Sequence, residues 1–252
     1  MSKISNTLKI SRSGLKLILE CPRCFWLDLH HKIKRPPGYP YTLSAAVDYL
    51  VKREFDKYRA KGILPPIFKD AGIKNAKLYN SPDLAEWRNN FKGISYFDED
   101  LNAILYGAID DVLEFSDARP NSLSGRDSLA VIDYKSSGSK EITIYDDYQK
   151  QMDIYTHILN RKGFETQSDA YFVFYKVDKT GDGFKNVLPF SEELKIVKVN
   201  PGWVSDAFER AIETARQSVP PISPAVGGHC DHCHYVGRVI EIQRLAPEDV
   251  NI

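Results

Sequence analysis

Apolar positions in the first quarter of the chain recur at helical spacing. Leu15, Ile18 and Leu19 share one face, Ser11 or Ser13 can cap the turn before them, and the helix is expected to end near Cys21-Pro22. A basic loop follows, His31-Lys32-Ile33-Lys34-Arg35-Pro36-Pro37. A second helix is expected where Leu43, Val47, Leu50, Val51, Phe55 and Tyr58 recur at three- and four-residue steps, with Thr42 or Ser44 as cap and Gly62 as stop. Residues 63 to 101 are punctuated by Pro, Asn and Asp and read as loop with one short helix around Asp83 to Asn90.

The period then changes. Ile104 to Phe115 and Leu129 to Lys135 are β-rich runs, and the turn residues Arg119-Pro120-Asn121-Ser122 between them predict an antiparallel pair. Tyr148, Met152, Tyr155 and Leu159 mark a long helix that stops at Gly163. Ala170 to Val177 is almost continuously apolar, as in a strand buried on both faces. Leu194 to Val199 reads as an edge strand, and Trp203, Ala207, Ile212 and Ala215 as a last helix before a Pro/Gly-rich tail from Val219 to Gly228. The order helix, helix, strand, strand, helix, strand, strand, helix predicts an α/β fold, a mixed sheet with helices on its faces.

Composition narrows the function classes. In 252 residues, 34 Lys+Arg balance 34 Asp+Glu and 42% of positions are hydrophobic, which excludes a disordered chain. The longest apolar stretches, Tyr171 to Tyr175 and Leu129 to Ile132, are strand-sized, so no membrane span is expected. The first 20 residues disperse Lys3, Lys9, Arg12 and Lys16 without an apolar core, which argues against a secretory signal and for a cytoplasmic address. With zero net charge, any binding of nucleic acid must rest on local cationic clusters.

All four cysteines fall into two Cys-x-x-Cys pairs near opposite ends of the chain, Cys21/Cys24 and Cys230/Cys233. The two-residue gap lets both sulfurs of a pair turn to one ion, and two pairs complete a tetrahedral shell suited to Zn²⁺. The same sulfurs suit a [4Fe-4S] cluster, and disulfides or reduced thiols are the plainer alternative. His229, His232 and His234 crowd the second pair and are able to replace one thiolate.

Both β runs carry charge among apolar residues. In Val131-Ile132-Asp133-Tyr134-Lys135, Asp133 and Lys135 project from one face while Ile132 and Tyr134 project from the other. An acid buried in a core strand needs a partner. If the runs pair, Asp110 and Asp133 converge at the mouth of the sheet as a hard-oxygen site for Mg²⁺ or Mn²⁺, with Lys135 beside them to orient a water. A structural Asp–Lys ion pair is the alternative reading of those two residues.

The following helix places Gln151 and Tyr155 four apart on one face. A Gly-x-x-Asp strand end (Gly107 to Asp110), an Asp-x-Lys strand (Asp133 to Lys135) and a Gln-x-x-x-Tyr helix resemble the PD-(D/E)XK nuclease superfamily in its RecB-like branch. The chain is similar to the CRISPR-associated iron-sulfur exonucleases within that branch. The opening Ser11-Arg12-Ser13-Gly14-Leu15, with Cys21-Pro22-Arg23 and Phe25, looks like the N-terminal segment of that group. The resemblance implies a restriction-endonuclease-like core over residues 1–252 as one domain, with 1–42 and 219–252 forming a metal clasp. It implies a Mg²⁺- or Mn²⁺-dependent deoxyribonuclease, an exonuclease rather than an endonuclease, in DNA repair, recombination or defence. Its partner would be DNA, with a helicase or another repair or defence protein beside it.

By the same resemblance Asp110 and Asp133 would be metal ligands, Lys135 the catalytic lysine, and Gln151 and Tyr155 the pair that positions DNA. Where the family has Gly-x-x-x-His, this chain has Ser44 to Asp48, which makes Asp48 the candidate third ligand. Val239 stands where iron-sulfur members place their last cysteine and Cys24 supplies the fourth thiolate, a two-plus-two division that suits zinc at least as well as a cluster. DNA would be drawn by Lys32, Lys34, Arg35 and the Lys/Arg of the helix from Tyr148 to Lys162, with Trp26, Tyr39 and Tyr41 as stacking groups. Neutral net charge and the missing histidine motivate a second reading, a catalytically weak or inactive nuclease-fold DNA-binding or assembly module stabilised by a structural metal. A zinc-stabilised protein with no nucleic-acid role is a third, and it leaves the charges inside both strands without a reason.

Overall fold

The structure, a computed structural model, describes residues 7–38, 42–116, 127–224 and 230–245. Its elements run in the order β1 (Leu8–Ser11), α1 (Arg12–Glu20), α2 (Pro22–His31), α3 (Thr42–Ala60), α4 (Pro66–Asp70), β2 (Ala76–Leu78), α5 (Leu84–Trp87), β3 (Ile94–Asp98), β4 (Ala103–Gly107) and β5 (Asp111–Phe115). They continue with β6 (Ser128–Ser137), α6 (Asp146–Arg161), β7 (Glu165–Thr166), β8 (Asp169–Val177), β9 (Phe190–Lys198), α7 (Val204–Ala215) and α8 (Asp231–Leu245). Among the described residues, no helix is long and apolar enough to cross a membrane.

Two sheets form among these residues. One is three-stranded, β1-β4-β3, and the other is six-stranded, ordered β2-β5-β6-β8-β9 with β7 beside β6. In the larger sheet β5 runs antiparallel to β6, with Asp111 opposite Ile132, while β6 and β8 are parallel and β9 closes the edge antiparallel to β8. The sheet is therefore mixed and flanked by helices, as the sequence pattern predicts. Side chains of β6 alternate between two cores. Leu129 and Val131 pack on the face that α6 covers, and Ala130, Ile132 and Tyr134 pack on the face under α3 with Val51, Phe55 and Phe68.

Several predicted boundaries need correction. Ile104 to Phe115 is two strands in different sheets, because the chain leaves β4 and enters β5 through Ala108-Ile109-Asp110, where the Ile109 N–H donates to the Trp87 carbonyl at 3.0 Å. Continuous β propensity hides such a crossing. Cys21-Pro22 ends one helix and begins another: Pro22 occupies the first turn of α2 and the Cys21 sulfur caps it by accepting the Cys24 N–H at 3.4 Å. Proline lacks an N–H that the first turn would leave unpaired anyway. The segment 63 to 101 contains α4, β2 and β3 besides the short helix, and β1 and α8 were not expected. The predicted turn Arg119 to Ser122 lies outside the described residues.

An ionic network ties α3, the C-cap of α5, β5 and β6 together. Asp111 is fully buried and accepts from Arg59, from Arg88 Nη2 at 2.7 Å, from the Tyr134 hydroxyl at 2.7 Å and from the Val112 N–H at 2.9 Å. Arg88 also donates from Nε to the Asp110 carbonyl at 2.8 Å. Buried charges persist only where partners replace water, and here each oxygen of Asp111 is replaced twice. The network thereby fixes the backbone of Asp110 at the mouth of the sheet.

Candidate active site and cysteine cluster

Asp110 sits where the chain enters β5, and Asp133 lies on the adjacent strand β6, 1% exposed. The Asp110 carboxylate accepts the Tyr134 N–H at 3.3 Å on Oδ2 and the Lys52 ammonium at 2.7 Å on Oδ1. Asp133 accepts from the Gln151 side chain, which α6 presents to it, and is paired with Lys135 on its own strand. The Lys135 ammonium lies over the Tyr148 ring, 5.0 Å from its centre, and 5.8 Å from that of Phe172. Two carboxyls within reach of each other in a buried wall cannot both ionise freely. Burial first, and then the neighbouring Asp110, push the Asp133 carboxyl up to about 7, against the pull of Lys135.

Tyr155 follows Gln151 by one turn and is buried, 3% exposed. Burial first, with Asp133 and Asp110 adding, raises its phenol to about 12, while Arg12 pulls it down. The glycine of the Gly-x-x-Asp strand end has a steric reason: a Cβ on Gly107 would lie 2.7 Å from Tyr155 Cε1 and 3.2 Å from the Arg12 Cβ. Asp48, on α3, faces the same space. Its carboxyl is raised by burial first and also by Asp110, while Lys52, bonded to its Oδ2 at 2.8 Å, lowers it.

These groups line one cleft of about 1010 Å³, walled by α1, α3, β4, the entrance to β5, β6 and α6. Its charged side chains are Arg12, Lys52, Arg88 and Lys135 against Asp48, Asp110 and Asp133, so the cleft as it stands is close to neutral. A divalent ion among the carboxylates would turn it cationic, which suits a phosphate chain even though the protein has no net charge.

The structure brings together Asp48, Asp110, Asp133, Lys135, Gln151 and Tyr155 in that cleft. It does not bring the proposed DNA-binding cluster there. Lys32 and Lys34 are exposed beyond α2, and Arg35 is turned away to Glu20 and to the Cys230 sulfur, 3.5 Å from its Nη2. Trp26 is not a stacking surface: it is 5% exposed, its Nε1–H donates to the Gln217 carbonyl at 2.9 Å, and its ring stacks on His30. Tyr39 and Tyr41 lie outside the described residues. Lys52, Arg12, Arg88 and Asp111 were given no role from the sequence. Lys52 was the most legible of them, since its i,i+4 spacing from Asp48 marks a helical ion pair.

At the other end of α1 the four cysteine sulfurs lie within 4.8 Å of one another, with Cys21–Cys233 and Cys24–Cys230 at 3.7 Å and Cys24–Cys233 at 3.5 Å. Each pair uses one local device. The first sulfur accepts the N–H of the second cysteine at 3.4 Å, at the start of α2 for Cys21 and of α8 for Cys230. Burial drives the Cys24 thiol upward. Burial would also raise Cys230, but the Cys233 N–H and the neighbouring sulfurs outweigh it and bring that thiol down to about 7. Among the described residues this metal-capable group contains no histidine; His229 lies outside them. The cluster can bind a metal, and it joins the N-terminal helices to α8.

A family model described as the PD-(D/E)XK nuclease superfamily matches residues 43–238, and the chain belongs to that superfamily. Its members usually hydrolyse phosphodiester bonds and generally use divalent metals. The matched span carries Asp48 and the whole Asp110–Asp133–Lys135–Gln151–Tyr155 set. No curated protein matches the chain. One solved structure, described as "Crystal structure of SSO0001", aligns over 87% of this chain and 80% of its own at 13% identity and a TM-score of 0.37.

Proposed function

We propose that the protein is a divalent-metal-dependent deoxyribonuclease, and that one observation carries this reading: Asp110, Asp133 and Lys135 meet in a cleft with Gln151 and Tyr155. Asp110 and Asp133 would hold Mg²⁺ or Mn²⁺, with Asp48 as the third carboxylate. These are hard oxygen donors, and burial first, with the neighbouring Asp110 adding to it, holds the Asp133 carboxyl high, so a bound cation would relieve both. A divalent ion bound there supplies Lewis-acid polarisation of the phosphate and acidifies a water. Lys135, held over the aromatic faces of Tyr148 and Phe172, orients that water and faces the charge that develops on the phosphate. Gln151 holds Asp133 in place, and Tyr155 with Arg12 forms the wall against which a DNA strand would be positioned. Lys32 and Lys34 would serve as an outlying contact to the DNA backbone.

The order of the motifs supports the RecB-like branch, and with it an exonuclease acting in DNA repair, recombination or defence beside a helicase or similar protein, in the cytoplasm, with residues 1–252 as one domain. Cleavage of single- and double-stranded DNA in Mg²⁺ and in Mn²⁺, with Asp133→Asn as control, tests the reading. Metal-dependent cutting by the wild type alone supports it; a wild type inert in both metals removes it. The Lys52 bridge between Asp48 and Asp110 favours the second reading, a weak or inactive DNA-binding module, because an internal cation already fills part of the site. DNA binding without cleavage, retained in Asp133→Asn, would support that reading.

For the cysteines we favour one structural Zn²⁺ over [4Fe-4S]. Four sulfurs at about 2.3 Å from a single zinc have tetrahedral edges of about 3.8 Å, and the observed separations of 3.5 and 3.7 Å support that spacing. A cubane cluster spreads its thiolates around four irons and needs wider separations. Purified protein is expected to be colourless and to carry one zinc, and Cys24→Ser is expected to lose it and to release α8 to limited proteolysis. A brown, iron-containing sample would reverse the assignment.

Metal binding should depend on pH with a defined sign. The Asp133 carboxyl is raised from 3.8 to about 7 in the folded, metal-free protein, so its unfavourable ionisation is present above about 7 and is relieved as pH falls toward 4. Acidifying the metal-free wild type from pH 8 to 5 is therefore expected to stabilise it relative to Asp133→Asn, while Mn²⁺ affinity falls because ion and proton compete. Thermal melts and calorimetric titrations at both pH values check this. Mn²⁺ affinity unchanged between them would contradict the arrangement.

A further inference from the structure

Lys52 lies one helical turn beyond Asp48 on α3, and its ammonium donates to Asp48 Oδ2 at 2.8 Å and to Asp110 Oδ1 at 2.7 Å. The pair is not a loose surface contact: the side chains of Lys52 and Asp110 are 21% and 20% exposed, and both line the cleft. Asp110 divides its two oxygens, Oδ1 to Lys52 and Oδ2 toward the Tyr134 N–H, so the oxygen that shares Lys52 with Asp48 is already taken by a cation. Lys135 is committed on the other side, to Asp133. Lys52 thus sits between Asp48 and Asp110, while Lys135 holds Asp133.

We propose that Lys52 is a resident cation of the site, a positioning residue that holds the Asp48–Asp110 arm and competes with a divalent ion for it. The inference rests on the reading of Asp110 and Asp133 as metal ligands and adds a rule for their occupancy. An ammonium and a hard divalent ion seek the same oxygens, and neither can share a carboxylate oxygen at hydrogen-bonding distance without repulsion from the other. An ion that takes Asp48 and Asp110 therefore displaces Lys52. While Lys52 stays, the arm is closed and metal is confined to the Asp110–Asp133 side. Without metal, Lys52 also keeps α3 against the entrance to β5, so the carboxylates remain gathered although their charges repel.

The test is Mn²⁺ affinity and stoichiometry, measured by calorimetry and by electron paramagnetic resonance at pH 8, for wild type, Lys52→Met, Lys52→Arg and Asp48→Asn/Lys52→Met. Lys52→Met is expected to bind Mn²⁺ about tenfold more tightly or to take up a second ion. Lys52→Arg keeps the charge and is expected to stay near wild type, and the gain is expected to shrink when Asp48 is also removed. Wild type that binds Mn²⁺ with Lys52→Met binding no more tightly and no second ion would overturn the inference and leave the metal site standing. Failure of every variant and of the wild type to bind Mn²⁺ would remove both. A bridge with only a structural role would lower the melting temperature of Lys52→Met without tightening Mn²⁺, which also counts against the proposal.

Discussion

Lys135→Met is expected to cut DNA about 10²–10⁴-fold more slowly than wild type while binding Mn²⁺ at least as tightly. The rate loss follows from removing a positioned group that orients water and faces developing charge, an effect of about that size where such groups have been deleted. The retained affinity follows from geometry. Lys135 donates no electron pair to a metal, and its ammonium is paired with Asp133, so its loss frees a carboxylate oxygen and removes a repelling charge. Asp133→Asn should lose both properties. Single-turnover cleavage beside a Mn²⁺ titration separates the two variants. If Lys135→Met cuts like wild type, Lys135 has no part in the chemistry and is only the counter-ion of a buried acid.

The largest expected effect on stability lies one residue from the site. Asp111→Ala is expected to cost about 3–5 kcal/mol, because the change leaves Arg59, 7% exposed, and most of Arg88 without the anion that replaces their water. For a chain of this size that corresponds to a fall in melting temperature on the order of 10 °C. It should also loosen Asp110, whose carbonyl Arg88 holds. Urea unfolding followed by circular dichroism checks it. A midpoint within error of wild type would mean that the Asp111–Arg59–Arg88 network adds nothing net.

The alternation in β6 was fully legible in the sequence: Ile132 and Tyr134 go to one core while Asp133 and Lys135 face the cleft, because side-chain direction in a strand follows a period of two. The meeting of Asp110 with Asp133 was readable for the same reason, even though the strand carrying Asp110 was drawn too long. Other features depend on contacts that one-dimensional spacing does not record. The break between β4 and β5 is set by the Trp87 carbonyl far back in the chain, and β1 and β3 are short strands whose identity comes from pairing with β4. The second turn of meaning in Cys21-Pro22, a helix start as well as a stop, rests on a sulfur cap. Asp110 and Asp111 are adjacent acids that point to opposite duties, one to the cleft and one to a buried pair of arginines, and only the fold separates them. Arg35 is the converse case: a residue of a basic run that reads as a phosphate contact is occupied by Glu20 and a cysteine sulfur.

The most direct measurement is the anomalous diffraction of Mn²⁺ in crystals of the protein grown with a short DNA strand. The account predicts a peak within coordinating distance of both the Asp110 and Asp133 carboxylates, with a phosphate of the strand on its open side and the Lys135 ammonium beside it. A map with no peak at those carboxylates, or DNA lying outside the cleft, would contradict it.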